Sequence, residues 1–221
     1  MRLESVQSSL QATKILDFLI IDGNSADKTI EIAKKSRINR LKIINEGKKR
    51  GIGSAYTLGF KSGLEQDYDF YVQMDADLSH QPEEILRLLE VADKNTLVIG
   101  TRWITGGKVI NWPIWRRSIS KLGTGYAAKM LALEYKDLTS GFRVLPKELV
   151  QKLNFDFIKS RGYGYQIEIA VAAVRLGFKI KQVPITFIER QGGSSKMSLG
   201  IVFEAWKMVS LKGLTRMLKS R

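Results

Sequence analysis

Four short apolar runs, at residues 17–22, 41–45, 70–74 and 97–100, alternate with helix-like stretches at 28–36, 52–64 and 82–92. Nothing else in the chain restricts its fold as tightly. Runs this short suit strands buried on both faces, and the intervening lengths suit crossover helices. The helix starts agree: Ser25 and Asp27 are N-cap types, Gly51 and Gly53 open the second helix, and Pro82 falls in the first turn of the third. A β-α-β-α order predicts an α/β chain with a mostly parallel sheet flanked by helices. The second half is less regular. It reads as a helix at 116–133, a strand at 142–145, helices at 146–153 and 165–176, a half-exposed strand at 179–189 and a flexible loop at 191–195. The segment 199–218 reads as a basic amphipathic helix, with Leu199, Val202, Phe203, Trp206, Leu214 and Met217 on one side and Lys212, Arg216 and Lys219 opposite. With no internal repeat and no linker, residues 1–221 are expected to form one domain.

The charge balance is unusual. With 36 Lys+Arg against 22 Asp+Glu, the net charge is +14. Such a field favours polyanions: nucleic acid, an anionic membrane surface or phosphorylated small molecules. There is no cysteine and a single histidine, His80, so thiolate metal sites and His-based triads are poorly supported. Leu3, Val6 and Leu10 have amphipathic-helix spacing rather than a signal-peptide core. No apolar stretch approaches the roughly 20 residues of a spanning helix, so the chain is expected to be soluble or peripheral.

Asp75-Ala76-Asp77 closes the third run. An Asp-x-Asp alone also turns up on solvated loops. At the carboxyl lip of a parallel strand, however, it stands where α/β sheets bind their ligands. Alternate side chains of a strand share a face. Asp75 and Asp77 can therefore share one hard cation, Mg²⁺ or Mn²⁺, and through it a diphosphate. Asp22, at the first strand's lip, either faces a nucleotide or belongs to a plain helix-capping turn. The Lys48–Gly53 stretch lacks the spacing of a phosphate-cradling loop and reads as a solvated basic loop touching the nucleotide. Arg102 and Arg116 leave loops on the same lip, where fork geometry suits phosphate. Glu168, in an apolar helix, is expected to pair with an arginine or orient a substrate. His80 reads as a loop or helix-start residue rather than a base.

Several stretches together resemble the family 2 glycosyltransferases of the GT-A fold, more narrowly the polyprenol (dolichol) phosphate mannosyltransferases. They are Asp22-Gly-Asn-Ser-Ala-Asp-Lys-Thr29, Arg50-Gly-Ile-Gly-Ser-Ala55, Met74-Asp-Ala-Asp-Leu-Ser-His80, Gly100-Thr-Arg102, Asn111-Trp-Pro-Ile-Trp-Arg116, Asp137-Leu-Thr-Ser-Gly-Phe-Arg143 and Arg190-Gln-Gly-Gly-Ser-Ser-Lys196. The resemblance implies metal ligation by Asp75 and Asp77, with Ser79 where the family often has glutamine. It implies a nucleotide-sugar site of Asp22, Asp75, Ala76, Asp77, Arg102, Arg190 and Lys196. Arg116, Arg190 and Lys196 would meet the acceptor phosphate, and Asp77, Arg102 and Arg116 would carry catalysis. The implied reaction is inverting transfer of mannose from GDP-mannose to a polyprenol phosphate. It would take place at the cytoplasmic face of a membrane surface, with room for a membrane-anchoring subunit as partner.

Two departures stand out. The family's opening strand is missing, so the sheet is expected to lack a central strand, and Gly23 replaces a second, base-contacting aspartate. These leave open a UDP-glucose-dependent glucosyltransferase and an inactive glycosyltransferase-like chain. A basic nucleic-acid-binding protein is the remaining alternative. No reader motif or aromatic-basic stacking pattern supports it, so nucleic acid is not expected as a partner.

Overall fold

The computed structural model describes residues 16–160, 162–189 and 199–219. Its centre is a sheet in the order β3 (Phe70–Gln73), β6 (Arg143–Pro146), β4 (Thr96–Thr101), β7 (Lys179–Pro184). β4 and β7 run parallel, and β6 is antiparallel to both β3 and β4. Three of the four strands therefore point one way, and β6 alone is reversed.

β4 explains why the centre reads as a continuous apolar run. All its residues are buried, and their side chains alternate between two cores. Leu97 and Ile99 pack with Leu145, Leu149, Tyr165 and Ile169 on one face. Val98 packs with Val144, Ile85, Leu88 and Ile185 on the other. Each such side chain, fully withdrawn from water, contributes roughly 1.5–3 kcal/mol. The layers over these faces are helical. α2 (Ile52–Gly63), α5 (Lys147–Lys152) and α6 (Gly164–Arg175) supply the first core, and α3 (Ile85–Glu90), entered through a 3₁₀ turn at Pro82–Glu84, supplies the second.

β1 (Phe18–Asp22) and β2 (Leu41–Asn45) form a separate parallel pair, joined through α1 (Thr29–Lys35). Among the described residues no ladder links β1 to β3. α2 spans both groups: Gly59 lies against Leu19 and Ile21, and Gly63 lies so close to Tyr71 that a Cβ there would approach the ring to 2.6 Å. The Tyr68 hydroxyl also donates to Asp17, at the entry to β1.

The expected single strand at 179–189 is two strands. β7 ends at Pro184, which has no N–H to continue a ladder. β8 (Thr186–Ile188) then pairs in parallel with β5 (Lys108–Ile110), a strand too short to stand out in the sequence. α4 (Ile114–Leu131) starts earlier than expected, with Pro113 as its N-cap, and Ala132 closes it in the left-handed region (φ 52°). α7 (Leu199–Lys219) packs on α4 and α6 through Met208 and Val209. The amphipathic N-terminal helix and the loop at 191–195 lie outside the described residues.

Candidate active site

The sheet has one functional lip, and the reversed strand completes it. β3 and β4 end there, while β6 begins there, so the 137–142 loop entering β6 meets the exits of both. Gln73 at the end of β3 pairs in register with Arg143 and donates through Nε2 to the Gly141 carbonyl at 3.1 Å.

Asp75 and Asp77 follow the last paired residue of β3, in a tight turn with Leu78 at φ 65°. The Tyr56 hydroxyl of α2 donates to Asp75 Oδ1. The Asp75 backbone N–H donates to His80 Nδ1 at 3.3 Å. Asp77 Oδ1 accepts from the Ser79 N–H at 3.1 Å and from the Ser79 hydroxyl. Each carboxylate is thus oriented by a neighbour. Ser79 is buried and turned onto Asp77, while Ala76 and Asp77 are exposed at the tip. Desolvation of the Tyr56 hydroxyl, reinforced by the Asp75 charge, lifts its pKa well above the usual range, so it stays a donor. His80 is buried against Phe142 and Phe187. Burial lowers its pKa, which agrees with an orienting role rather than that of a base.

Arg102 leaves β4 buried and doubly paired with Asp137, Nε to Oδ2 at 2.8 Å and Nη2 to Oδ1 at 2.7 Å. Its backbone N–H also donates to Asp137 Oδ2, and Nη2 reaches Thr139. Burial alone would lower its pKa, but the Asp137 charge outweighs that and raises it. Arg102 is therefore a compensated cation fastened to the 137–142 loop. Arg143, fully buried, grips the same loop from below through the carbonyls of Leu138, Ser140 and Gln166 at 2.7–2.8 Å. With no carboxylate among these acceptors, burial pushes its pKa down to about 10. Gly141 rides on this support against Asp75: a Cβ there would lie 3.3 Å from Oδ2.

Arg116 forms an ion pair with Glu189 and stacks over Trp112 at 4.2 Å. Arg190 and Lys196 lie outside the described residues. Asp22 closes its own turn, Oδ2 accepting the Ser25 N–H at 2.9 Å beside left-handed Asn24. Burial would raise its pKa, but the Ser25 bonds hold it below the usual carboxylate range. Asp27 accepts from the Thr29 N–H at the start of α1. Among the described residues Glu168 pairs with no arginine: it accepts from the N–H groups of Lys159 and Ser160 and pairs with Lys212 of α7 at 2.8 Å. Gly53 belongs to packing, since a Cβ there would meet the Ser160 carbonyl at 2.6 Å.

Tyr56, Asp137, Gly141 and Arg143 carry no role in the residue-level reading of the sequence. Their signal is faint because Tyr56, Asp137 and Gly141 act on partners 19 to 68 residues away, and Arg143 acts on backbone carbonyls that any residue could supply. The donor set suits one divalent ion. A half-buried Asp75 and an exposed Asp77 leave room for phosphate oxygens and water, as Mg²⁺ and Mn²⁺ require, and Gly141 puts no Cβ against the Asp75 carboxylate. Among the described residues no cluster of three or more His, Cys, Asp or Glu side chains offers a competing cage.

Residues 2–153 match the glycosyl transferase family 2 model. Over 200 residues the chain is 44% identical to the undecaprenyl-phosphate mannosyltransferase of Micrococcus luteus, covering 90% of this chain and 82% of that protein. It is 39% identical to the polyprenol monophosphomannose synthase of Mycolicibacterium smegmatis, over 89% of this chain and 76% of that one. The glucosyl-3-phosphoglycerate synthase of Mycobacterium tuberculosis, solved with Mn²⁺ and UDP-glucose, superposes with a TM-score of 0.65 at 19% identity, over 97% of this chain and 73% of that chain. The last likeness carries the fold, an α/β GT-A architecture. The first three findings carry the family: with its paired carboxylates on a sheet lip, the chain belongs to glycosyl transferase family 2 and is a glycosyltransferase.

Proposed function

We propose that the chain transfers mannose from GDP-mannose to the phosphate of a polyprenol, with inversion at the anomeric carbon and with Mg²⁺ or Mn²⁺ held by Asp75 and Asp77. The observation that carries this reading is the pair of oriented carboxylates at the lip, in a chain 44% and 39% identical to two proteins named for this transfer. The acceptor phosphate is already an anion at neutral pH, so no strong base is needed. That agrees with a lone histidine buried and turned onto a backbone N–H. The difficulty is to bring two anions together and stabilise a leaving diphosphate. The metal, when bound, supplies Lewis-acid stabilisation of that diphosphate.

The residues do the rest. Tyr56 and Ser79 fix the two carboxylates. Arg102 faces the donor as one half of its pair with Asp137, and Ala76 lines the nucleotide beside Asp22. Arg116, with Arg190 and Lys196, holds the acceptor phosphate. An anion arriving there competes with Glu189 for Arg116. A polyprenol tail also demands a membrane. No described helix is long and apolar enough to cross one, so the reading includes peripheral docking at a cytoplasmic membrane face, through α7 and with a membrane-anchoring subunit as an optional partner.

The test is transfer of labelled sugar to a polyprenyl phosphate, comparing GDP-mannose with UDP-glucose. GDP-mannose should be the better donor. EDTA should abolish transfer, Mn²⁺ should restore it, and Asp75→Asn or Asp77→Asn should lower it at least about a hundredfold, the scale of losing one electrostatic stabiliser. Preference for UDP-glucose, or full activity of either variant in EDTA, overturns the proposal.

A further inference from the structure

Of the buried acidic side chains among the described residues, Asp22 and Asp137 stand at the lip and Glu168 does not. Glu168 is 5% exposed, in α6. Its two oxygens are divided. Oε2 accepts the N–H groups of Lys159 and Ser160 at 3.1 and 2.9 Å, and Oε1 takes the Lys212 ammonium of α7 at 2.8 Å. A carboxylate held at both oxygens has one orientation, so Lys212 fixes the segment that enters α6 as well as Glu168 itself. Lys212 lies about 180° around α7 from Phe203, so the pair sits away from that helix's exposed aromatics.

The segment is wedged between helices. A Cβ on Gly53, in the first turn of α2, would meet the Ser160 carbonyl at 2.6 Å and the Tyr165 ring at 2.8 Å. A Cβ on Gly164 would meet Ser160 Oγ at 2.7 Å and Met208 of α7 at 3.4 Å. Groups packed this closely have no slack, so a shift of Ser160 passes to α2. One turn further along α2, Tyr56 stacks on Tyr165 with ring centroids 6.2 Å apart and donates to Asp75. Contacts therefore run without a break from Lys212 through Glu168, Ser160 and the first turns of α2 to Asp75.

We propose that Lys212 and Glu168 are positioning residues for Asp75: the ion pair between α7 and α6 sets the position of α2, and with it the Tyr56 hydroxyl that turns Asp75 toward its metal. α7 is then a support of the metal site and not an appendage of the domain. This inference rests on the reading of Asp75 as a metal ligand.

Mn²⁺ affinity tests it, read by electron paramagnetic resonance titration of the full chain well below its thermal midpoint, without nucleotide or lipid. Lys212→Met keeps most of the apolar stem and removes the charge. It should weaken Mn²⁺ binding about fivefold, the scale of substitutions that act on a ligand they do not touch. Lys212→Arg keeps the ion pair and should stay within about twofold of the wild type. Lys207→Met removes an exposed charge from the same helix and should also stay within about twofold. A pair with a structural role alone would lower the thermal midpoint and leave the affinity of the folded chain unchanged, and that result overturns the proposal. In a Tyr56→Phe background, Lys212→Met should cost no more than about twofold further, since the route passes through that hydroxyl. Losses that multiply independently overturn it. Asp75→Asn is measured alongside. If it too binds Mn²⁺ as the wild type does, the metal reading fails and this inference with it. A loss in Asp75→Asn with none in Lys212→Met overturns the inference alone.

Discussion

Asp75 is a useful carboxylate only while it points one way, and three contacts determine that direction. Tyr56 donates to its side chain, His80 accepts its backbone N–H, and Gly141 closes the opposite side without a Cβ to crowd it. Tyr56→Phe removes one hydrogen bond and leaves the ring stacking on Tyr165. Losing an outer partner of a metal ligand typically costs 10–100-fold in affinity. The expected outcome is about tenfold weaker Mn²⁺ binding, followed directly by electron paramagnetic resonance titration, with an unchanged thermal midpoint. Equal Mn²⁺ affinity would show that Tyr56 only fills space. Asp137 makes the opposite case, in which stability is at stake first. Asp137→Ala leaves the Arg102 guanidinium buried beside aromatic rings without its counter-ion. Breaking such a pair costs about 3–5 kcal/mol, readable as a lower urea midpoint. Asp137→Asn keeps an oxygen for one of the bonds and should lose less.

Among the elements, α7 departs furthest from ordinary packing. It is anchored by a face other than the one its apolar residues suggest. Val209 is buried, a Cβ on Gly213 would meet Met130 at 2.7 Å, and Ser210 shares a hydrogen bond with Tyr126. Phe203 and Trp206, stacked on each other at 5.8 Å, remain 60% and 52% exposed. If they insert in lipid, each contributes roughly 1.5–3 kcal/mol. Phe203→Ser/Trp206→Ser should therefore release the protein from anionic vesicles while leaving its helical circular dichroism intact. Sedimentation equal to wild type would leave this face without a membrane role.

The same comparison shows what a reader of the sequence can and cannot see. Apolar runs such as Leu97–Gly100 declare a buried strand, because burial on both faces leaves no polar alternation to confuse. The helix in 199–218 was legible from its periodicity, but the face it buries was not, since Gly213 and Ser210 look indifferent until α4 lies against them. β5 and β8 were hidden for a related reason. Strands of three residues carry no period, and only their mutual pairing makes them strands. In the site, Asp75, Asp77, Arg102 and Arg116 follow from position at strand and loop exits. Asp137 and Arg143 do not, because the reversal of β6 that brings them to the lip has no local signature.

For the molecule as a whole, charge and core act on different outcomes. The buried clusters on either side of β4 are apolar and indifferent to salt. The net charge of +14 lies mainly on exposed lysines and arginines and governs encounter with anions. Both proposed ligands, a nucleotide sugar and a lipid phosphate, are anions, and the lipid comes embedded in a surface that can itself be negative. Raising salt from about 0.05 M to about 0.5 M shortens the screening length from well over 10 Å to a few ångströms. Association with phosphatidylglycerol vesicles, followed by stopped-flow energy transfer from the tryptophans, should then slow by at least about tenfold. Once the protein is docked, dissociation should change less, because apolar contact through Phe203 and Trp206 is not screened. The thermal midpoint over the same range should move only slightly. An association rate indifferent to salt would mean that apolar insertion alone drives docking, and the basic surface would lose its assigned part in bringing the chain to its lipid.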